Sequence, residues 1–410
     1  MQVAVFHPGT QHSWQTALAL QQLGRLAWYA TSIFHQPERW PYRLADHVPD
    51  PLARRLRAEF RRFEHPGLDP SLVRTAGMAE WAERIAARGG LRALAERIDA
   101  WGNHRFGAKL AAGLGAPEEF ALWGYNSSSL TAFGAAKRHG RICILDRTIG
   151  DYRAYNAAMD TVPERYGDWF LPTERRVSAA QIARDQREYD LADTILLGCE
   201  AAAATVRPHT DPGKVRVLDY CFDEALFAGM SAPQPVDPSR PVRFLFMGLA
   251  IPRKGIHLLL EALARIPRSH AELTIVGDLR VPPAMFAPYA ERVQHVPTVA
   301  RADVPAIMAA HDVLVLPSYF EGAGLVLYEA LAAGCAVIQS QHCAPVVSER
   351  TGIMLERLDA EALEAAMVSV ITDRERLNHC RANAQAEAAK FSFARYREGV
   401  AALLSELGID

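Results

Sequence analysis

The sequence predicts an α/β protein built from two doubly wound parallel sheets, and three observations carry that prediction. Short apolar runs alternate with helical patterns from end to end, as parallel strands covered by helices require. A chain of 410 residues is too long for one ordinary core and fits two domains of roughly 200 residues each. A proline-rich stretch, "SAPQPVDPSRP" at 231–241, separates two sets of strands as an extended linker.

In the first set, "QVAVF" (2–6) is a strand that leads through "HPGTQHS" (7–13) into a helix over 13–23. "RLAWYAT" (25–31), "FALWGY" (120–125), "ICILD" (142–146) and "TILLG" (194–198) follow as strands, and 51–115 reads as a helical insertion without strands. The second set is "VRFLFMG" (242–248), "ELTIVGD" (272–278), "RVQHV" (292–296), "DVLVLPS" (312–318) and "CAVIQS" (335–340), separated by helices. The tail, 393–407, is amphipathic, with Tyr396, Val400 and Leu403 or Leu404 on one face. The expected domains are 1–220, carrying the insertion, and 221–391, joined by the linker at 228–241. A C-terminal helix over 392–410 is expected to cross back to the first domain. Ligands of such sheets bind beyond the carboxyl ends of the strands, so a cleft between the two domains is the expected site.

Composition narrows the classes. Half the residues are apolar, 22% are charged and the net charge is −2, so nothing points to nucleic acid as partner. The six cysteines form no CxxC pair, which argues against a zinc site or a disulfide framework and for a reducing compartment. The N-terminus has no basic region ahead of a long apolar run, and no stretch approaches the roughly 20 apolar residues of a spanning helix. A cytoplasmic protein is expected.

Three loops follow strand ends. In "HPGTQHS", Gly9 allows close backbone approach to a ligand, Ser13 is a candidate helix cap, and His7 and His12 flank the turn; an ordinary strand-to-helix turn is the alternative. In "MGLAIPRKGIHLLLEAL" (247–263), Arg253 and Lys254 stand next to Gly255 and a helix, where adjacent cations suit a diphosphate. Lysine is rare here, with five against forty arginines, so Lys254 in such a loop stands out. The third is "YFEGAGLVLYEALAAG" (319–334). A buried, unpaired carboxylate costs several kcal/mol, so Glu321 and Glu329 in this apolar run need partners. Gly322, Ala323, Gly324 and Leu325 are expected to start a helix whose amides hold phosphate oxygens. Glu329, roughly 7.5 Å along the axis from Gly324, is placed to accept from ribose hydroxyls.

These motifs resemble the retaining GT-B glycosyltransferases of family four, the group 1 type. Glu321 and Glu329 with "ALAAG" after them look like that family's E-x7-E motif, and "MGLAIPRKGIHLLLEALARI" resembles its donor loop. "VRVLDYCFDEALF" (215–227) resembles its interdomain segment, and "ADTILLGCEAAAATV" (192–206) its last N-domain strand and helix. The resemblance is specific in the C-terminal half and partial in the N-terminal half. It implies two Rossmann-like domains facing each other across a cleft, the second holding a UDP- or GDP-linked sugar and the first an acceptor. It also implies transfer with retention and without metal or other cofactor. Arg253 and Lys254 would neutralise the leaving diphosphate, Glu321 would position the sugar, and a phosphate oxygen would take the acceptor proton. Donor-binding residues would be Gly9, Gly248, Gly322, Ala323, Gly324, Leu325 and Glu329. The sequence holds no Asp-x-Asp, the metal–diphosphate signature of the other main glycosyltransferase fold.

Two positions depart from the family. Leu249 stands where an arginine is frequent, so Arg253 is expected to supply that charge. Asp146 stands where the family often has histidine, at the end of the 142–146 strand. It is a candidate acceptor from a sugar hydroxyl or a base, with a structural pairing to Arg147 or Arg153 as the alternative. A glycan or lipid-linked acceptor is expected, in polysaccharide or cell-envelope glycan synthesis. In "PLARRLRAEFRRF" (51–63), Leu52, Leu56, Phe60 and Phe63 recur at near-helical spacing opposite arginines, so peripheral contact with an anionic membrane is expected there. A sugar-nucleotide epimerase and a non-catalytic nucleotide- or glycan-binding subunit are the rival readings.

Overall fold

The structure is a computed structural model that describes residues 1–409 apart from 10–11, 41, 62, 64, 66, 76–105, 112, 116–117 and 173–175. Most of the helical insertion expected over 51–115 therefore lies outside the described residues. The chain divides into two compact units, Met1–Arg147 with Ala183–Leu196 and Arg397–Asp410, and Thr148–Ile182 with Leu197–Tyr396. Residues 148–182, read from the sequence as part of the first domain, group with the second unit.

The first sheet contains β1 (Gln2–Phe6), β2 (Leu26–Thr31), β3 (Val73–Thr75), β4 (Phe120–Tyr125), β5 (Cys143–Arg147), β6 (Thr194–Leu197) and β7 (Val215–Val217). Their order is β3-β2-β1-β4-β5-β6-β7. Strand β1 pairs in parallel with both β2 and β4, so the order reverses between β1 and β4. The strands β4 and β5 are buried along their whole length, which is why they read as unbroken apolar runs rather than as alternation. The second sheet holds β8 (Val242–Met247), β9 (Ala271–Val276), β10 (Val293–Val296), β11 (Val313–Leu316), β12 (Ala336–Ser340) and β13 (Gly352–Leu355). It runs β10-β9-β8-β11-β12-β13, parallel throughout, with its reversal between β8 and β11.

Three strands went unread in the sequence. The insertion was expected to lack strands, yet β3 extends the sheet beyond β2; at three residues it is too short to show a pattern. β7 is as short, and β13 opens on a glycine. The C-terminal helix spans Phe393–Glu406, with Tyr396, Val400, Leu403 and Leu404 buried as the periodicity predicts. Its last part, from Arg397, belongs to the first unit, where Arg397 Nη1 donates to Gln22 Oε1 at 2.5 Å.

The helix Asp50–Arg61 corrects one expectation. Phe60 and Phe63 are buried with Ile33, Tyr42 and Ala45, and Leu56 packs against that cluster. The apolar face assigned to a membrane is thus used by its own domain, and of the four residues only Leu52 is exposed, at 47%. Among the described residues no helix is long and apolar enough to cross a membrane.

Candidate functional site

In the second unit, the strands on either side of the order reversal supply two facing loops. Strand β8 is followed by Gly248, where an added Cβ would lie 3.9 Å from Lys254 Nζ. A short 3-10 turn, Pro252–Lys254, then carries Arg253 and Lys254, and Gly255 turns the chain into the helix Ile256–Ala264. Gly255 is required twice over: its φ is 72°, and a Cβ there would meet Pro317 O at 2.0 Å. That close approach seats the turn against the loop after β11, and Tyr319 N donates to Arg253 O at 2.9 Å.

The two loops bring three predicted residues together. Lys254 Nζ lies 2.5 Å and Arg253 Nη1 3.4 Å from the same Glu321 oxygen, Oε1. Ser318 Oγ donates to that oxygen at 3.2 Å and is steadied by Ser340 Oγ, which donates to Ser318 O at 2.6 Å. Arg253 also donates to Phe320 O. Burial alone would raise the Glu321 carboxyl, but Lys254 and then Arg253 outweigh it and hold it below the usual range.

The segment beyond Glu321 was expected to open a helix at Gly322; the helix begins at Val326 and spans Val326–Ala332. Gly322 to Leu325 form the turn before it. Their four amides meet no acceptor among the described residues; Gly322 and Ala323 are buried, and Gly324 and Leu325 are partly exposed. Gly322 lies so close to Thr148 that a Cβ would come within 1.9 Å of its carbonyl oxygen. Glu329 is buried on the following helix and finds its partner in Arg301, whose Nη1 lies 2.7 Å from Oε1. Burial raises the Glu329 carboxyl and Arg301, itself 57% exposed, only partly offsets that. Nothing in the sequence marks Arg301, because the pairing joins a short turn to a helix well separated from it in the chain.

The remaining two predicted residues belong to the first unit. Gly9 follows β1, where its N–H donates to His7 Nδ1 at 3.0 Å. Burial drives the His7 pKa down to about 4, so this ring is neutral. Asp146, near the end of β5, is 0% exposed. Trp123 Nε1 donates to its Oδ2 at 3.2 Å, and His12 Nε2 lies 3.5 Å from the same oxygen. Of the two arginines, Arg147 pairs with Asp185 and Arg153 with Asp151. Ser13 does not cap its helix: His12 occupies that position without a side-chain cap, and Ser13 Oγ bonds to the Tyr29 hydroxyl at 2.9 Å.

Comparison with known proteins now adds the class. Across 98–100% of both chains the fold is similar to two solved structures. One is Anabaena Alr3699/HepE in complex with UDP-glucose, with TM-score 0.64 and 15% identity. The other is WaaG, a glycosyltransferase involved in lipopolysaccharide biosynthesis, with TM-score 0.59 and 16% identity. The two parallel sheets and these likenesses define the GT-B fold class. Residues 241–373 match the glycosyl transferases group 1 family. Among relatives, the D-inositol 3-phosphate glycosyltransferase of Segniliparus rotundus is 28% identical over 265 residues, 60% of this chain and 58% of that protein. The lipopolysaccharide glucosyltransferase WaaG of Escherichia coli is 38% identical over 106 residues, 24% of this chain and 28% of that protein. The chain thus matches little more than half the length of the first of these relatives and less of the second.

Proposed function

We propose that the protein transfers a sugar from a UDP- or GDP-linked donor to a glycan or lipid-linked acceptor, with retention and without a metal ion, in polysaccharide or cell-envelope glycan synthesis. The observation that carries this reading is the Lys254–Arg253–Glu321 cluster beside the four amides of Gly322 to Leu325. Two cations and a row of N–H donors suit a diphosphate, and their field grows more favourable as charge builds on the departing oxygen. In the reaction, the acceptor oxygen bonds to the anomeric carbon and the carbon–oxygen bond to diphosphate breaks. That electron pair stays on the β-phosphate, one of whose oxygens takes the hydroxyl proton on the same face. Glu321 orients the sugar, and Glu329 takes a ribose hydroxyl in exchange for Arg301.

The reading includes a cytoplasmic site of action and peripheral contact with anionic membrane through 51–63. With Phe60 and Phe63 turned inward, such contact rests on Leu52 and the exposed Arg54 and Arg57. The names of the relatives support a sugar-transfer role, since all are glycosyltransferases. The test is thermal stabilisation by a panel of UDP- and GDP-hexoses, followed by product analysis. A ligand at a hundred times its dissociation constant adds about 2.7 kcal/mol. Stabilisation with transfer and a retained anomeric configuration is expected; isomerised donor, or binding with no turnover on any acceptor, would overturn it.

A further inference from the structure

We propose that His257 is a positioning residue: through its hydrogen bond to the Tyr319 hydroxyl it holds the loop that carries Glu321 in place against Lys254 and Arg253. The proposal rests on the sugar-transfer reading for its kinetic consequence, and adds to the diphosphate cluster a tether set back from the substrate.

His257 is the second residue of the helix Ile256–Ala264, shortly after Lys254, and it is 0% exposed. Its neighbours Ile256, Leu258, Leu259 and Leu260 are all apolar, so the imidazole is the polar side chain of that first turn. Its Nε2 lies 3.2 Å from the Tyr319 hydroxyl, and the two rings lie within 7° of parallel. Nδ1 is buried and has no partner among the described residues, so Tyr319 supplies the ring's hydrogen bond. Tyr319 stands just ahead of Phe320 and Glu321, and its own N–H donates to Arg253 O. Main chain and side chain of Tyr319 thus both fasten it to the Lys254 segment, one on each side of Gly255.

The surroundings fix the imidazole. The Tyr166 ring lies 4.3 Å and the Trp169 ring 6.0 Å from it. The Tyr166 hydroxyl donates to Glu261 Oε2 at 3.2 Å, one turn further along the same helix. Burial drives the His257 pKa down to about 3, so the ring is neutral and adds no third cation to the cluster. A neutral ring cannot hold a carboxylate by charge; it can direct a hydroxyl. An imidazole buried with one nitrogen bare costs stability that an apolar side chain of similar size would not. Packing alone therefore gives no reason for a nitrogen here, whereas a tether does. A displacement of about 1 Å in a positioning group can cost about a hundredfold in rate. The contacts at stake are those of Glu321 with Lys254 at 2.5 Å and Arg253 at 3.4 Å, in the loop that Tyr319 begins.

The test removes the tether from either end. Tyr319→Phe loses only the hydroxyl, and His257→Leu replaces the ring by an apolar side chain. Carbon NMR of the carboxyl groups, with the Glu321 signal identified by its loss in Glu321→Gln, should find the Glu321 pKa below the usual range in the parent and moved up towards it in both variants. Turnover with UDP-glucose as donor and octyl glucoside as probe acceptor should fall on the order of tenfold in each, the worth of one neutral hydrogen bond, with the acceptor KM unchanged. Tyr319→Phe combined with His257→Leu should lose no more than either alone. His257→Gln, whose amide reaches the place of Nε2, should recover most of the rate; His257→Asn, whose amide stops at the place of Nδ1, should not. A purely structural role would instead lower the melting temperature and leave the Glu321 titration and the rate per folded molecule where they were. An unmoved Glu321 titration in Tyr319→Phe, additive losses, or equal rates in His257→Gln and His257→Asn would overturn the proposal. Failure of the parent to bind UDP or GDP would sink the transfer reading instead, and the Glu321 titration would still decide the tether.

Discussion

Glu321 and Asp146 are two carboxylates near strand ends, each almost covered, and their surroundings differ in kind. Glu321 sits between two full positive charges, Lys254 and Arg253, and is pulled below the usual carboxylate range despite burial. Asp146 takes its hydrogen bond from an indole and faces an imidazole. The first arrangement concentrates charge beside the Gly322 to Leu325 amides and is suited to an anion whose charge increases. The second sets a carboxylate against two rings, an indole and an imidazole. The comparison teaches that burial of a carboxylate does not define its work; the charge of its partners does.

The sharpest way to break this contrast is to remove charge on one side only. Lys254→Ala should cut turnover about a hundredfold, since about 2.7 kcal/mol of charge-assisted contact is two decades. Arg253 remains on Glu321, so the melting temperature should change little; an undiminished rate in a folded variant would dissolve the contrast. Next in size is the effect of Asp146→Asn, which keeps the side chain's shape and should lower turnover by less than Lys254→Ala does. Equal losses from Lys254→Ala and Asp146→Asn would mean that the two regions are not chemically distinct.

Smaller effects concern pH. Because Glu321 is held below its ordinary value, it contributes stability above its unfolded pKa, lost as pH falls through the folded pKa. Glu329 has the opposite sign: burial raises it, so its ionised form costs stability as pH rises through the folded pKa. Glu329→Gln should therefore raise the melting temperature modestly at pH 7, while weakening donor binding. Glu321→Gln should weaken the acid-side dependence and lower turnover. Thermal melts across pH 3 to 8, a range spanning the carboxylate values, check both signs. The smallest expected effect is on membrane contact: Arg54→Glu with Arg57→Glu should reduce flotation with anionic liposomes and leave transfer to a soluble acceptor unaltered.

Sequence reading reached the second unit's site further than the first's. Arg253, Lys254 and Glu321 each lie in a loop directly after an apolar strand, and parallel neighbours bring such loops together. Arg301 and His257 owe their roles to side chains far away in the chain, which no local spacing records. The burial of Asp146 is likewise set by Trp123 on β4 and by His12, so its strand-end position was legible and its access was not. β13 escaped because Gly352, which starts it, packs where a Cβ would meet Val337 O at 1.8 Å; the strand's closest contact is made by a residue without strand propensity. The helix 50–61 was hard to place for another reason: its apolar spacing is the same whether the face meets lipid or its own core.

The central claim is that Lys254, Arg253 and the Gly322 to Leu325 amides hold the terminal phosphate of the leaving group. Calorimetric binding of UDP against UMP, or GDP against GMP, isolates that phosphate. The parent should bind the diphosphate at least tenfold more tightly, about 1.4 kcal/mol, and Lys254→Ala should lose most of that difference while binding the monophosphate as before. Equal affinity for mono- and diphosphate in the parent, or a difference that survives Lys254→Ala intact, would contradict the account.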